Sequence, residues 1–362
     1  MIKVGITHGD INGIGYEVIL KTFADLRIAE LCIPVIYGST KVASYHRKAL
    51  ELPAVAFNQI QKAEDASQNK VNFINCITED IKVELGKSTK IAGDASLAAL
   101  ERATADLQEG VIDVLVTAPI NKDNIQQEGF HFPGHTEYLE EKFGNESEKS
   151  LMILVKDDLR VALVTGHIPL SEVPAAVTPD KIREKVEIFN RSLKRDFNID
   201  KPRIAILSLN PHAGENGLLG SEENEIIIPA IKEIAETGIL CFGPYAADGF
   251  FGSGHFKQFD GILAMYHDQG LAPFKTLAME DGVNFTAGLP IVRTSPAHGT
   301  AYGIAGRNEA SEESFRQAIY MAIDTFRNRA AFDEAYVNPL KKLYYEKGGD
   351  NEVLDLTKEE EN

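Results

Sequence analysis

The chain has 362 residues, 44% of them hydrophobic and 25% charged, with a formal net charge of −17. That length asks for two domains, since one ordinary core serves roughly 100–200 residues. The acidic balance excludes nucleic acid as a general partner, because a phosphate backbone needs clustered Lys and Arg, and no apolar run approaches the ~20 residues of a membrane span. Cys32, Cys76 and Cys241 stand far apart and in no CxxC pair, as expected of reduced thiols in a cytoplasmic protein. No leader-like segment precedes the first strand-like run, which fits the same compartment.

Residues 3–7 read as a buried strand that runs into His8-Gly9-Asp10 and a glycine turn opening a helix. The turn glycines, Gly13 and Gly15, are read as serving backbone packing. Residues 33–37 form a second strand, and residues 51–90 carry no assignable pattern. Gly86-Lys87-Ser88 is not a phosphate loop, because Ile81 stands where the motif needs its first glycine. Asp94 is placed to cap a helix with Leu97, Leu100 and Leu107 on its apolar face, ending at Gly110. A strand is expected over residues 111–117, then a polar turn with Lys122, a histidine-rich loop, and a helix over 138–143. Thr178-Pro179-Asp180 is a strong helix start. Further helices are expected near Pro229, ending at Gly238, and over residues 311–329 with Phe315, Ile319, Ile323 and Phe326 on one face. Strands alternating with helices predict an α/β protein with parallel sheets covered on both faces, and ligands at the strands' carboxyl ends.

Three strand-like runs, residues 160–165, 203–209 and 262–266, each deliver a histidine just past their ends: His167, His212 and His267. Imidazoles converging from neighbouring strand ends suit a divalent ion acting as a Lewis acid. The spacing also leaves open three satisfied or surface histidines. Asp248 and Asp268 stand where they could orient such ligands, or simply cap turns. Lys122, Lys275, Asn284 and Arg293 are placed in polar turns, a set suited to a carboxylate or phosphate ester, against the alternative of solvated surface charge. No Gly-x-Gly-x-x-Gly fingerprint occurs. The glycine-rich stretch at residues 298–306 could approach a ligand or form a plain loop.

Six motifs stand in order along residues 3–330: ITHGDINGIG at 6–15, TAPINK at 117–122, PGHTE at 133–137, LNPHAGENG at 209–217, MYHDQGLAPFK at 265–275 and GLPIVRTSPAHGTA at 288–301. With them the chain closely resembles the 4-hydroxythreonine-4-phosphate dehydrogenase family of vitamin B6 biosynthesis. The resemblance implies two α/β/α domains with a deep interdomain cleft, as in isocitrate and isopropylmalate dehydrogenases, and a cytoplasmic homodimer. It divides the chain into residues 1–125 plus 285–345 on the nucleotide side, residues 126–284 on the metal and dimerisation side, and an acidic tail over 346–362. It implies one divalent ion (Zn, Mg, Co or Mn) on His167, His212 and His267, and a small phosphorylated amino-acid substrate on His135, Thr136, Lys275, Asn284 and Arg293. The loop His298, Gly299 and Thr300 then holds NAD, which accounts for the missing glycine fingerprint.

The implied reaction is oxidation of 4-phosphooxy-L-threonine at C3 and decarboxylation to 3-amino-2-oxopropyl phosphate. Asp248 is placed as the general base on turn position alone. The chain departs from the family pattern at Ile11-Asn12, in VTGH before His167, and at Tyr302, Gly303 and Arg307. The same chemistry on another four-carbon acid phosphate such as 4-phosphoerythronate, or a phosphoryl or acyl transferase on the same scaffold, are the alternatives.

Overall fold

The computed structural model describes residues 1–77, 80–126, 130–145 and 148–337. β1 (Lys3–Thr7) leads through the glycine turn into α1 (Gly15–Ala24) and the short α2 (Ile28–Leu31). β2 (Ile33–Gly38) leads into α3 (Thr40–Ala49). The stretch without a pattern holds β3 (Phe57–Ile60) and β4 (Val71–Asn75), short strands whose polar residues hide any alternation. α4 (Lys90–Gln108) and β5 (Val114–Thr117) follow. Asp94 lies inside α4; Thr89 caps it instead, its side chain accepting from the Ala92 N–H. Residues 111–113 bend before β5, so that strand is shorter than the apolar run.

Next come α5 (His135–Phe143), β6 (Leu151–Lys156), β7 (Leu159–Leu163), α6 (Val173–Ala176) and α7 (Pro179–Arg195). Thr178 caps α7 by accepting from the Lys181 N–H, with Pro179 at the first helical position. Then follow β8 (Arg203–Leu207), α8 (Ile228–Glu236), β9 (Leu240–Tyr245), α9 (Ala247–Gly252), β10 (Gly261–Ala264) and α10 (His267–Ala278). β11 (Val283–Ala287), β12 (Arg293–Pro296) and the long α11 (Glu313–Val337) complete the described chain. The expected acidic tail over 346–362 lies outside the described residues.

The strands form one sheet in the order β3-β4-β2-β1-β5-β12-β11-β6-β7-β10-β8-β9. This corrects the expectation of purely parallel sheets: β11 runs antiparallel to β12 and β6, and β6 antiparallel to β7. The pieces missed by pattern, β6, β11 and β12, are the strands that join the two parallel halves into one mixed α/β sheet.

The two faces are packed differently. On one, an apolar layer runs from Val4 and Ile6 through Val116, Phe285 and Ile153 to Ile204 and Ile206, and takes Phe315 and Ile319 of α11. On the other, the core splits into a cluster around Leu100, Leu115 and Phe130 and another around Phe250, Leu263's neighbour Ala264 and Phe274. Between these clusters, alternate strand residues point out of the sheet and are polar: Thr117 on β5, Arg293 and Ser295 on β12, Asn284 and Thr286 on β11. Period-two alternation therefore puts a polar floor where the second core is interrupted.

Candidate active site

That floor opens into a cleft of about 560 Å³. It gathers Lys122, His135, Thr136, His167, Asn284, Arg293, His298 and Gly299 among its lining residues. Of the residues singled out from sequence, Lys275, Thr300, His212, His267 and Asp248 are not part of that lining. Asp248 stands exposed in the first turn of α9.

Asn284 and Arg293 are strand residues, on β11 and β12, rather than turn residues, and Lys275 is in α10. The apolar run before Arg293 is loop, and Arg293 itself begins β12. In the β11–β12 register Arg293 faces Thr286 and Asn284 faces Ser295. The guanidinium is 3% exposed. It donates from Nε and one terminal nitrogen to Thr117 Oγ1 (3.1 and 2.7 Å) and from the other to Thr286 Oγ1 (3.1 Å). Burial pulls its pKa down to about 10, with the charge of Glu137 opposing. It remains a cation at neutral pH, and among the described residues no carboxylate lies within 4.0 Å of it. A buried cation held by hydroxyls alone is a vacancy for an anion.

His135 and Thr136 open α5, so their backbone N–H groups have no intrahelical acceptor. His135 is buried, and burial, then the charges of Arg293 and Lys122, hold its pKa well below the ordinary value. Its Nε2 has no partner. The side-chain oxygen of Asn284 is likewise buried without one. Unpaired polar atoms on one cleft wall are the mark of a site shaped for a polar ligand.

The three strand-end histidines sit past β7, β8 and β10, which are adjacent in the sheet with β10 in the middle. His167 and His267 come together, ring centroids 5.7 Å apart. Burial and then the charge of Lys122, whose Nζ is 3.4 Å from Nε2, lower the pKa of His167. The ring is thereby held neutral, as a metal ligand must be. The Nδ1 of His267 lies 2.6 Å from Asp268 Oδ1, which leaves its Nε2 as the free donor. His212 is exposed on a loop whose backbone runs left-handed from His212 to Asn216. Glu223, itself buried, fixes that loop by accepting from the N–H groups of Leu209 and Asn210, both at 2.8 Å. Among the described residues no three His, Cys, Asp or Glu side chains of one chain converge on a point. The donor chemistry of the His167–His267 pair fits a divalent ion; His212 stands apart from it.

The loop at residues 298–306 is fastened from beneath. Tyr302 donates to Asp10 Oδ2 (2.7 Å), which also accepts from Asn124 (2.7 Å). Asn12 holds the neighbouring residues 84–89, donating to Lys87 O and Thr89 Oγ1 and accepting from the Glu84 N–H. A Cβ on Gly13 would meet Thr300 O at 2.7 Å, and one on Gly15 would meet His8 O at 2.1 Å, so both glycines are there for close backbone approach. The Nε2 of His298 is buried without a partner, which fits a ligand laid along this loop. Asp10, Thr117, Glu137 and Thr286 were not singled out from sequence. Asp10, Thr117 and Glu137 lay inside quoted motifs, whereas Thr286 did not, and the pairing of both threonines with Arg293 comes only from strand register.

The model of the family described as "Pyridoxal phosphate biosynthetic protein PdxA" matches residues 30–322. A 4-hydroxythreonine-4-phosphate dehydrogenase of Bacteroides thetaiotaomicron is 64% identical over 98% of this chain and 97% of its own. One from Sulfurihydrogenibium is 44% identical over 89% of this chain and 98% of its own. The crystal structure of 4-hydroxythreonine-4-phosphate dehydrogenase from Klebsiella pneumoniae superposes with a TM-score of 0.77 at 34% identity, covering 90% of this chain and 98% of that one. By the family model, by identity along its length and by superposition, the chain belongs to the PdxA family.

Proposed function

We propose that the protein is an NAD-dependent, divalent-metal-dependent dehydrogenase that oxidises 4-phosphooxy-L-threonine at its C3 hydroxyl to 2-amino-3-oxo-4-phosphooxybutanoate, which loses CO2 to give 3-amino-2-oxopropyl phosphate in pyridoxal 5′-phosphate formation. The observation that carries this reading is the buried, carboxylate-free Arg293 at the floor of a cleft also lined by Lys122, His135 and His167. Two anionic ends on one small substrate match that surplus of positive charge.

In this reading Arg293, Asn284, His135 and Thr136 seat the phosphorylated end, and Lys275 of α10, whose charge is felt at His298, would add a further cation to the ligand. His167 and His267 would hold a divalent ion, with His212, past the neighbouring strand end, as the third ligand. Such an ion would supply Lewis-acid polarisation of a substrate oxygen. His298, Gly299 and Thr300 would hold NAD, with Tyr302 and Asp10 fixing the loop. Burial lowers the pKa of both His135 and His167, and the charge of Lys122 adds to that effect at each ring. Asp248, exposed on α9, has no support from position as the general base, and we assign no residue to that step.

The nucleotide-side unit would comprise residues 1–125 and 285–345, and the metal-side unit residues 126–284, working as a homodimer in the cytoplasm. The chain crosses between the sheet halves after β5 and returns through β11 and β12, which supports these bounds. Among the described residues no helix is long and apolar enough to cross a membrane.

The test is NADH formation from 4-phosphooxy-L-threonine with a divalent ion, run beside 4-phosphoerythronate and after chelation. The reading predicts turnover of the first substrate, abolished by the chelator and restored by added metal. NADH from the erythronate alone would move the substrate assignment; NADH from neither would remove the dehydrogenase reading.

A further inference from the structure

Among the described residues that line the cleft, the charged side chains are Lys122, Lys181, Lys185, Arg293 and one carboxylate, Glu137. Glu137 stands in the first turn of α5, beside His135 and Thr136. It makes no hydrogen bond and no ion pair within 4.0 Å among the described residues, yet its charge is felt at both His167 and Arg293. Its Oε2 lies 3.4 Å from where a Cβ on Gly134 would stand, and Lys122 Cε lies 3.7 Å from the same point. The carboxylate is therefore turned into the cleft mouth, between the anion-binding floor and the His167 side.

A free carboxylate in a pocket built for anions works against binding unless the ligand brings a positive charge to it. We propose that Glu137 pairs with an ammonium group on the substrate, so that the cleft selects a phosphorylated α-amino acid over the matching α-hydroxy acid. The proposal rests on the dehydrogenase reading and names the feature of the substrate that this one side chain recognises. For a small ligand whose phosphate is seated at Arg293 and the opening of α5, Glu137 is the one carboxylate among the described lining residues of the same cleft that could accept from an ammonium at C2. The carboxylate stands in the first turn of α5, where the positive end of the helix dipole favours a negative charge. A purely structural role at the helix start would instead affect every ligand alike.

The experiment is calorimetric titration of wild type, Glu137→Gln and Glu137→Asp with 4-phosphooxy-L-threonine and with 4-phosphoerythronate, which carries a hydroxyl at C2. We expect Glu137→Gln to weaken the amino ligand at least about tenfold more than the hydroxy ligand, the size of one charge-assisted hydrogen bond. Glu137→Asp should recover part of the difference. Equal weakening of both ligands, or no weakening of either, overturns the proposal. A wild-type protein that binds both ligands but forms NADH from neither removes the dehydrogenase reading, while the affinity comparison still decides on Glu137. If wild type binds neither ligand, both readings fall.

Discussion

At the scale of single residues the account turns on how a guanidinium is kept buried and available. Thr117 Oγ1 accepts two of Arg293's N–H groups, so Thr117→Val leaves buried donors unpaired at a cost of about 1–3 kcal/mol. Thermal unfolding should show that loss, and the KM for the phosphorylated substrate should rise with it. An unchanged melting temperature together with an unchanged KM would mean the threonine does not hold the arginine. Arg293 was visible in the sequence as a basic residue beside an apolar run. Its partner was not, because the two lie 176 residues apart and meet only through the register of β12 against β5. His167 and His267 were legible for the opposite reason: a histidine just past a buried run is a local pattern. His212 shares that pattern, but its loop runs left-handed from His212 to Asn216, and among the described residues no third metal-ligating side chain joins the pair, which no local pattern reports.

At the scale of elements, the loop at residues 298–306 is tied to the glycine turn by the Ile14 N–H, which donates to Thr300 O, and to Asp10 by the Tyr302 phenol. Tyr302→Phe removes the bond to Asp10 but leaves that carboxylate its contacts with Asn124 and the Asn12 N–H. We predict a rise of roughly threefold to tenfold in KM for NAD, for a net hydrogen bond of about 1 kcal/mol, with a smaller change in KM for the substrate. Equal effects on the two constants would contradict the loop's assignment to the nucleotide. The glycine turn makes a harsher prediction. Gly15→Ala drives a methyl against the His8 carbonyl, 2.1 Å from its ideal Cβ position, and should lower stability by about 1–3 kcal/mol in urea unfolding. An unshifted midpoint would show that the turn has slack. The start of α7 behind Thr178 was legible to the residue, whereas the cap of α4 is Thr89 rather than the expected Asp94. The edge strand β3 and its neighbour β4 were not legible, since they are short and rich in Asn and Gln.

At the scale of the whole molecule, the two parallel halves were legible and their junction was not. Apolar runs mark β1, β2, β7, β8 and β10, whereas β11 alternates polar with apolar and β12 is mostly polar, because one side of them is the cleft floor. The same burial that builds the sheet sets an acid limit on the fold. His8 and His46 are buried, and burial lowers each from 6.5 to about 4. Their folded values lie below the unfolded ones, so the stability they hold is complete above pH 6.5 and is lost as pH falls towards 4. Linkage puts this at up to about 3 kcal/mol for each ring. Urea unfolding between pH 7 and pH 4.5 should show the decline, and His46→Gln should flatten it; identical slopes in the two proteins would contradict the assignment.

The central claim is that the junction exists to hold a buried cation for the substrate's anion. Calorimetric binding of 4-phosphooxy-L-threonine to wild type and to Arg293→Ala tests it most directly. The account predicts at least about tenfold weaker binding in the variant, for the loss of a charge-assisted contact, with NAD affinity held within about twofold. Equal affinity of the two proteins for the substrate would contradict it.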